Sequence, residues 1–181
     1  MIKMTIQELK EKDSFNETEF ISKVDNTFIM LLSSIMNRNM DRVSHKISKN
    51  LYDKYQEYTN DLIKKHEIEC FDEMNVAKTT ITKIEEEDDY YVIQVELISR
   101  YMDYYIDEET KKYKRGINKK RIEKKNILLF KKLKNNKELG SVRKCPGCGA
   151  SSDINNTGIC KYCGATFDLY KYDYILTELK N

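Results

Sequence analysis

The residues of this chain best spaced to do chemistry are Cys145-Pro-Gly-Cys148-Gly and Cys160-Lys-Tyr-Cys163-Gly, with eleven residues between Cys148 and Cys160. The two-residue spacing lets both thiolates of a pair reach one ion, which is what a tetrahedral zinc-ribbon site requires. Gly149 and Gly164 follow the pairs, where a positive φ aims backbone N–H groups at sulfur, and Pro146 stiffens the first turn. An S₄ set also suits iron, and free or disulfide-paired cysteines are the plain alternative. The expectation is one Zn²⁺ held by Cys145, Cys148, Cys160 and Cys163. Four thiolates leave no open coordination position, so such an ion is structural and hydrolyses nothing.

The second candidate is a charge run. Residues 111–137 hold thirteen Lys or Arg and one acid, Glu123, so a formal net charge of +2 hides a local +12 against about −10 elsewhere. Lys119, Lys120, Arg121, Lys124 and Lys125 are the candidates to meet an anionic surface, either lipid headgroups or RNA phosphates, with Tyr113 placed to stack. The plain alternative is a solvated hairpin. Other candidates are weaker. Cys70 reads as a small hydrophobe near the start of a strand, with no histidine beside it to make it a nucleophile. His45 lies off an apolar stripe and His66 ends a helix, so both read as surface or helix-end residues. Asp103, beside Tyr101 and Tyr105, is the candidate acid on a strand, and hairpin carboxylates are usually solvated. No constellation supports an enzyme.

Zinc-binding thiolates imply a reducing compartment. The charged start MIKMTIQELKEKD has no apolar core of a secretory signal, and no apolar run approaches the ~18 residues of a membrane span. These features lead to the expectation of a cytoplasmic protein, with peripheral attachment to a membrane left open.

These residues need elements to position them. Thr5 with Glu8 forms a capping-box pattern for a helix over 6–12, and Asn16 with Glu19 caps a second. Phe20, Val24, Phe28, Leu31 and Ile35 then make a core-facing stripe. Val43, Ile47, Leu51, Tyr55, Tyr58 and Leu62 make another, in one helix or two, breaking near Ser48–Asn50. Beyond Cys70 the period falls to two. Strands are expected over 74–84, 90–106 and about 121–133, joined through Glu85–Asp89 and Asp107–Gly116. Tyr172–Leu179 reads as a last strand. Helices followed by antiparallel strands give an α+β fold, with the cysteine ribbon inserted before the final strand. The division is 1–139 plus 171–181 for the main domain and 140–170 for the ribbon.

Several segments together resemble the mitochondrial inner-membrane translocase subunit 44-like domain family, in its bacterial zinc-ribbon form. They are Asp13-Ser-Phe15 with Glu19-Phe20, Asn39-Met-Asp41, Asp103-Tyr-Tyr-Ile-Asp107-Glu-Glu-Thr110 with Arg115-Gly116, Leu129-Phe-Lys131, the ribbon, and Asp173-Tyr-Ile-Leu176. The resemblance spans Asp13 to Leu179. Tyr174 departs from it, since the family often has tryptophan there and this chain has none. The resemblance implies a nuclear transport factor 2-like cone, with helices across a strongly curved antiparallel sheet that encloses an apolar pocket. It also implies a non-enzymatic binding or scaffold module of a transport type, with a protein partner or an anionic membrane surface as its target. A ribosome- or RNA-binding protein is the second reading, and a small enzyme using the cone is the third. The pocket's ligand is not readable from the residues.

Overall fold

The computed structural model describes residues 1–134, 142–145, 147–153, 160–165 and 173–181. Its elements are β1 (Ile2–Lys3), α1 (Ile6–Asp13), α2 (Glu17–Met36), a 3₁₀ turn (Met40–Arg42), α3 (Lys49–Lys64), β2 (Glu67–Glu86), β3 (Tyr90–Asp107), β4 (Tyr113–Leu133), β5 (Val142–Lys144), β6 (Ser151–Asp153) and β7 (Ile175–Lys180).

Local chemistry sets the helix starts. The Thr5 hydroxyl accepts from the Glu8 N–H at 3.2 Å, while the Glu8 carboxylate accepts from the Thr5 N–H at 2.7 Å. Asn16 accepts from the Glu19 N–H at 3.2 Å and Ser48 from the Leu51 N–H at 3.3 Å. Ser48 therefore decides where the second stripe breaks. Val43 and Ile47 are buried without being helical, and Ile47 instead bridges to Leu176 of β7. The α2 stripe is buried throughout and faces Tyr91, Ile93, Val95 and Leu97 of β3 in one core. Each such side chain stabilises the fold by about 1.5–3 kcal/mol.

The strands are longer than periodicity suggests. β2 begins at Glu67 rather than 74, and β4 at Tyr113 rather than 121, so the second connection contracts to 108–112. Polar and charged residues at strand ends conceal these extensions, because backbone pairing rather than burial holds them. β1 has no sequence signal and simply pairs Ile2 and Lys3 with Glu86 and Glu85.

The main sheet is antiparallel, ordered β1-β2-β3-β4-β7, and curls into a half-barrel. Its bend has an identifiable cause. Opposite Tyr101, β2 inserts an extra residue at Glu73–Met74; opposite Met102, β4 inserts four residues, Asn118–Arg121, against one. Bulges on both neighbours at one level of β3 increase its twist and fold the sheet there. Gly116 is needed beside this bend: its φ is +102°, and a Cβ there would lie 2.5 Å from the Asp103 carbonyl oxygen.

The last strand completes the sheet by pairing Leu128 with Leu179 and Lys131 with Ile175. The cysteine cluster thus lies before the last strand, as expected. Tyr174 fills the aromatic slot ahead of β7. Its ring is 5.2 Å from Phe20 and 5.8 Å from Phe15, and its hydroxyl donates to Asp13 at 2.8 Å. Asp13 also accepts from Lys132 at 2.8 Å, so the hydroxyl adds a polar tie between α1 and the sheet. The ribbon limits at 140 and 170, the start of the last strand at Tyr172, and Pro146 lie outside the described residues.

Candidate metal centre, basic bulge and cone pocket

The four cysteine sulfurs all lie within 4.8 Å of one another. Cys145 Sγ is 3.5 Å from Cys163 Sγ, and Cys148 Sγ is 3.8 Å from Cys160 Sγ. A tetrahedron with metal–sulfur bonds of about 2.3 Å has sulfur edges of about 3.8 Å, so the set is sized for one ion. All four cysteines are free thiols, not disulfides.

The two turns repeat one backbone pattern. Cys145 N–H donates to the Ala150 carbonyl and Gly149 N–H to the Cys145 carbonyl; Cys160 and Gly164 do the same with Ala165 and Cys160. Gly149 and Gly164 take φ of 71° and 74° to close these turns. The glycine N–H groups meet carbonyls rather than sulfur. The N–H groups of Gly147 and Cys148 are the ones that reach Cys145 Sγ, at 3.3 and 3.5 Å. With the Cys148 N–H foremost, these donors hold the Cys145 thiol down at about 6. At Cys163 the Ala165 N–H acts in the same direction, but the sulfurs of Cys145 and Cys148 outweigh it and push the thiol up to about 12. Four thiols this close cannot all ionise by themselves. A bound dication removes that conflict, which is how the donor set fits a metal.

The five basic candidates do not form one patch. Lys119, Lys120 and Arg121 lie in the four-residue bulge of β4 and are exposed. Among the described residues, Lys119 and Lys120 have no acidic partner, and Arg121 has only a loose exposed one, Glu73 at 3.8 Å. Lys125 turns outward to Glu96 at 2.6 Å. Lys124 turns inward to Asp103 at 2.7 Å. Most of the remaining run is also engaged: Lys114 and Arg115 by Glu67, Lys131 by Glu87, Lys132 by Asp13 and Lys134 by Glu86. Beside the bulge, Tyr113 and Ile117 are 50% and 39% exposed. Lys137 lies outside the described residues.

Asp103 corrects an expectation. Its side chain is 17% exposed, not solvated, because the bend folds this part of β3 over the cone. It lines a cavity of about 150 Å³ under α2 and α3, together with Tyr55, Tyr58, Glu69, Tyr101 and Lys124. Glu69 is the residue sequence reasoning missed. It sits on β2 directly opposite Tyr105 and is 7% exposed. Its carboxyl lies 2.8 Å from the Tyr58 hydroxyl and 2.7 Å from that of Tyr105. Burial pushes the Glu69 carboxyl up, against the opposing effect of the two tyrosines. Burial acts to lower the Lys124 ammonium, but its bond to Asp103 prevails and its value is raised. The alternation Glu67, Glu69, Phe71 was the available signal, hidden by reading the strand from 74. Cys70 is buried on β2, its thiol pushed up by burial, and His66 is an exposed residue just past α3. His45 is half-buried and lowered by burial.

The model of the Tim44-like domain matches residues 3–139. The chain belongs to the Tim44-like domain family. The match begins ten residues before Asp13 and takes in α1, the cone helices and β2 to β4. It stops before the cysteine ribbon and β7, so those parts rest on their own geometry. No curated protein matches the chain at a significant level. Among the described residues of this Tim44-like chain, no helix is long and apolar enough to cross a membrane.

Proposed function

We propose that this protein is a non-enzymatic scaffold domain of the Tim44-like, transport-related kind, docked at the periphery of a membrane by the basic bulge of β4. The observation that carries the reading is the bulge itself. It lifts Lys119, Lys120 and Arg121 out of the ladder beside exposed Tyr113 and Ile117, while acids engage most of the flanking cations. Basic side chains meet anionic headgroups, and an aromatic and an aliphatic neighbour reach the acyl boundary. The reading is non-enzymatic because the polar groups of the cone are already engaged with one another: Asp103 with Lys124, and Glu69 with Tyr58 and Tyr105. The metal in this reading is one structural Zn²⁺ on Cys145, Cys148, Cys160 and Cys163. Residues 1–139 with 171–181 form one unit and 140–170 a ribbon inserted in it.

RNA is the competing partner for the same cations, with Tyr113 as the stacking face. The experiment is a competition in which purified RNA and anionic vesicles are offered at equal charge and the bound fraction of each is read directly. The reading expects preference for vesicles. Preference for RNA transfers the function to the ribosomal reading, and indifference to both makes the bulge a solvated surface.

A further inference from the structure

Among the described residues, Glu69 has no cation within ion-pair distance, although it is buried beside two other acids that do. Asp103 has Lys124 at 2.7 Å, and Glu67 has Arg115 at 2.6 Å and Lys114 at 3.4 Å. Glu69 has only tyrosines. Its two oxygens lie 2.8 and 2.7 Å from the hydroxyls of Tyr58 and Tyr105, and those hydroxyls lie 2.9 Å from each other. Two hydroxyl protons serve this carboxyl, and neither hydroxyl carries a charge, so Glu69 is hydrogen-bonded without a counter-ion.

A buried carboxyl without a counter-charge is neutralised either by a proton or by a cation from outside. Room for a cation lies alongside. The cavity of about 150 Å³ is walled by Phe28, Tyr55, Phe71 and Tyr101, with Glu69 and Asp103 at its polar end. A volume of this order holds a benzene-sized body. Phe71 and Tyr101 are locked edge to face with centroids 5.5 Å apart, and Lys124 Nζ already lies 5.3 Å from the Tyr101 centroid, so this lining accepts an ammonium. An anion would meet two carboxyls and a lysine that is already taken. A hard metal ion would lack the six or more oxygens it needs.

We propose that the cone cavity binds a small organic ammonium ion, its charged head between Glu69 and Asp103 and its apolar part against the aromatic walls. The ammonium supplies the counter-charge that Glu69 lacks, while the two tyrosine hydroxyls keep donating to its carboxylate. The site goes beyond the scaffold reading and does not depend on the bulge.

The test is calorimetric titration of the whole protein with butylammonium, 1-butanol and butyrate. Butylammonium is expected to saturate one site, roughly tenfold or more tighter than butanol, the ratio a desolvated cation–π contact with a carboxylate sustains. Butyrate is expected not to bind. Glu69→Gln keeps the shape of the side chain without its charge, so it should lose the preference for the ammonium. If that variant does not fold, the wild-type series still decides. Equal affinity for butanol, or no saturation by any probe, overturns the proposal.

Discussion

Lys124 of β4 donates to Asp103 of β3 at 2.7 Å, across the bend where the sheet folds over the cone. This bond takes a lysine out of an apparent basic face and a carboxylate out of an apparent solvated hairpin. Both are then part of the wall of a pocket.

Breaking that pair should be costly. Lys124→Ala leaves Asp103 partly buried without its donor, and is expected to lower stability by about 1–3 kcal/mol in urea unfolding. Lys119→Ala, on the exposed bulge, should fall within about 0.5 kcal/mol of wild type. Equal effects of the two changes would mean that the inward turn of Lys124 is wrong.

The metal centre predicts stoichiometric zinc, about one per chain, retained in mild reductant because a closed S₄ site needs thiolates. Cys148→Ser should lose the ion and loosen the ribbon, with Cys70 unaffected on β2. Elemental analysis of purified wild type and variant checks this, and a disulfide in fresh protein would contradict it.

The insertion predicts an asymmetry between two deletions. Replacing 141–170 by a short Gly/Asn turn should leave a folded cone, since β4 and β7 still pair. Ending the chain before Ile175 removes the buried Ile175, Leu176 and Leu179 and should cost several times more, at about 1.5–3 kcal/mol for each side chain. Thermal melts of the two deletion variants side by side settle the order.

Glu69 predicts a pH dependence of definite sign. Its carboxyl is raised from an ordinary value of 4.5, chiefly by burial, so the native state binds more protons than the unfolded chain. The stability it contributes is complete below that ordinary value and is lost as pH rises through the raised one. Glu69→Gln should therefore melt above wild type at neutral pH and converge with it at the acid end. Glu67 and Glu108 act in the opposite direction, each lowered first by its arginine partner, Arg115 and Arg38, so their contributions are lost as pH falls. The comparison between variant and wild type isolates Glu69 from both.

Much of this was legible in the residues, for reasons that differ by element. The caps at Thr5, Asn16 and Ser48 and the apolar stripe of α2 are local, and local chemistry is what sequence displays best. The cysteine spacing is local too. The cone's polar end is not: Glu69, Asp103 and Lys124 come from three strands, and only the bulges opposite Tyr101 and Met102 bring them together. The same bulges separate Lys119, Lys120 and Arg121 from Lys124 and Lys125. A charge count along the chain treats all five as neighbours, but pairing across the sheet does not.

The most direct measurement of the scaffold reading is flotation with anionic vesicles of two triple or double variants matched for fold. Neutralising Lys119, Lys120 and Arg121 removes about 1 kcal/mol of attraction per cation near the surface, so binding should fall roughly a hundredfold or more. Neutralising Lys125 together with its partner Glu96 leaves the local charge unchanged and should bind like wild type. Loss of binding in the first variant alone is the predicted result. Undiminished flotation of the first variant, or equal loss in both, would contradict docking through the bulge.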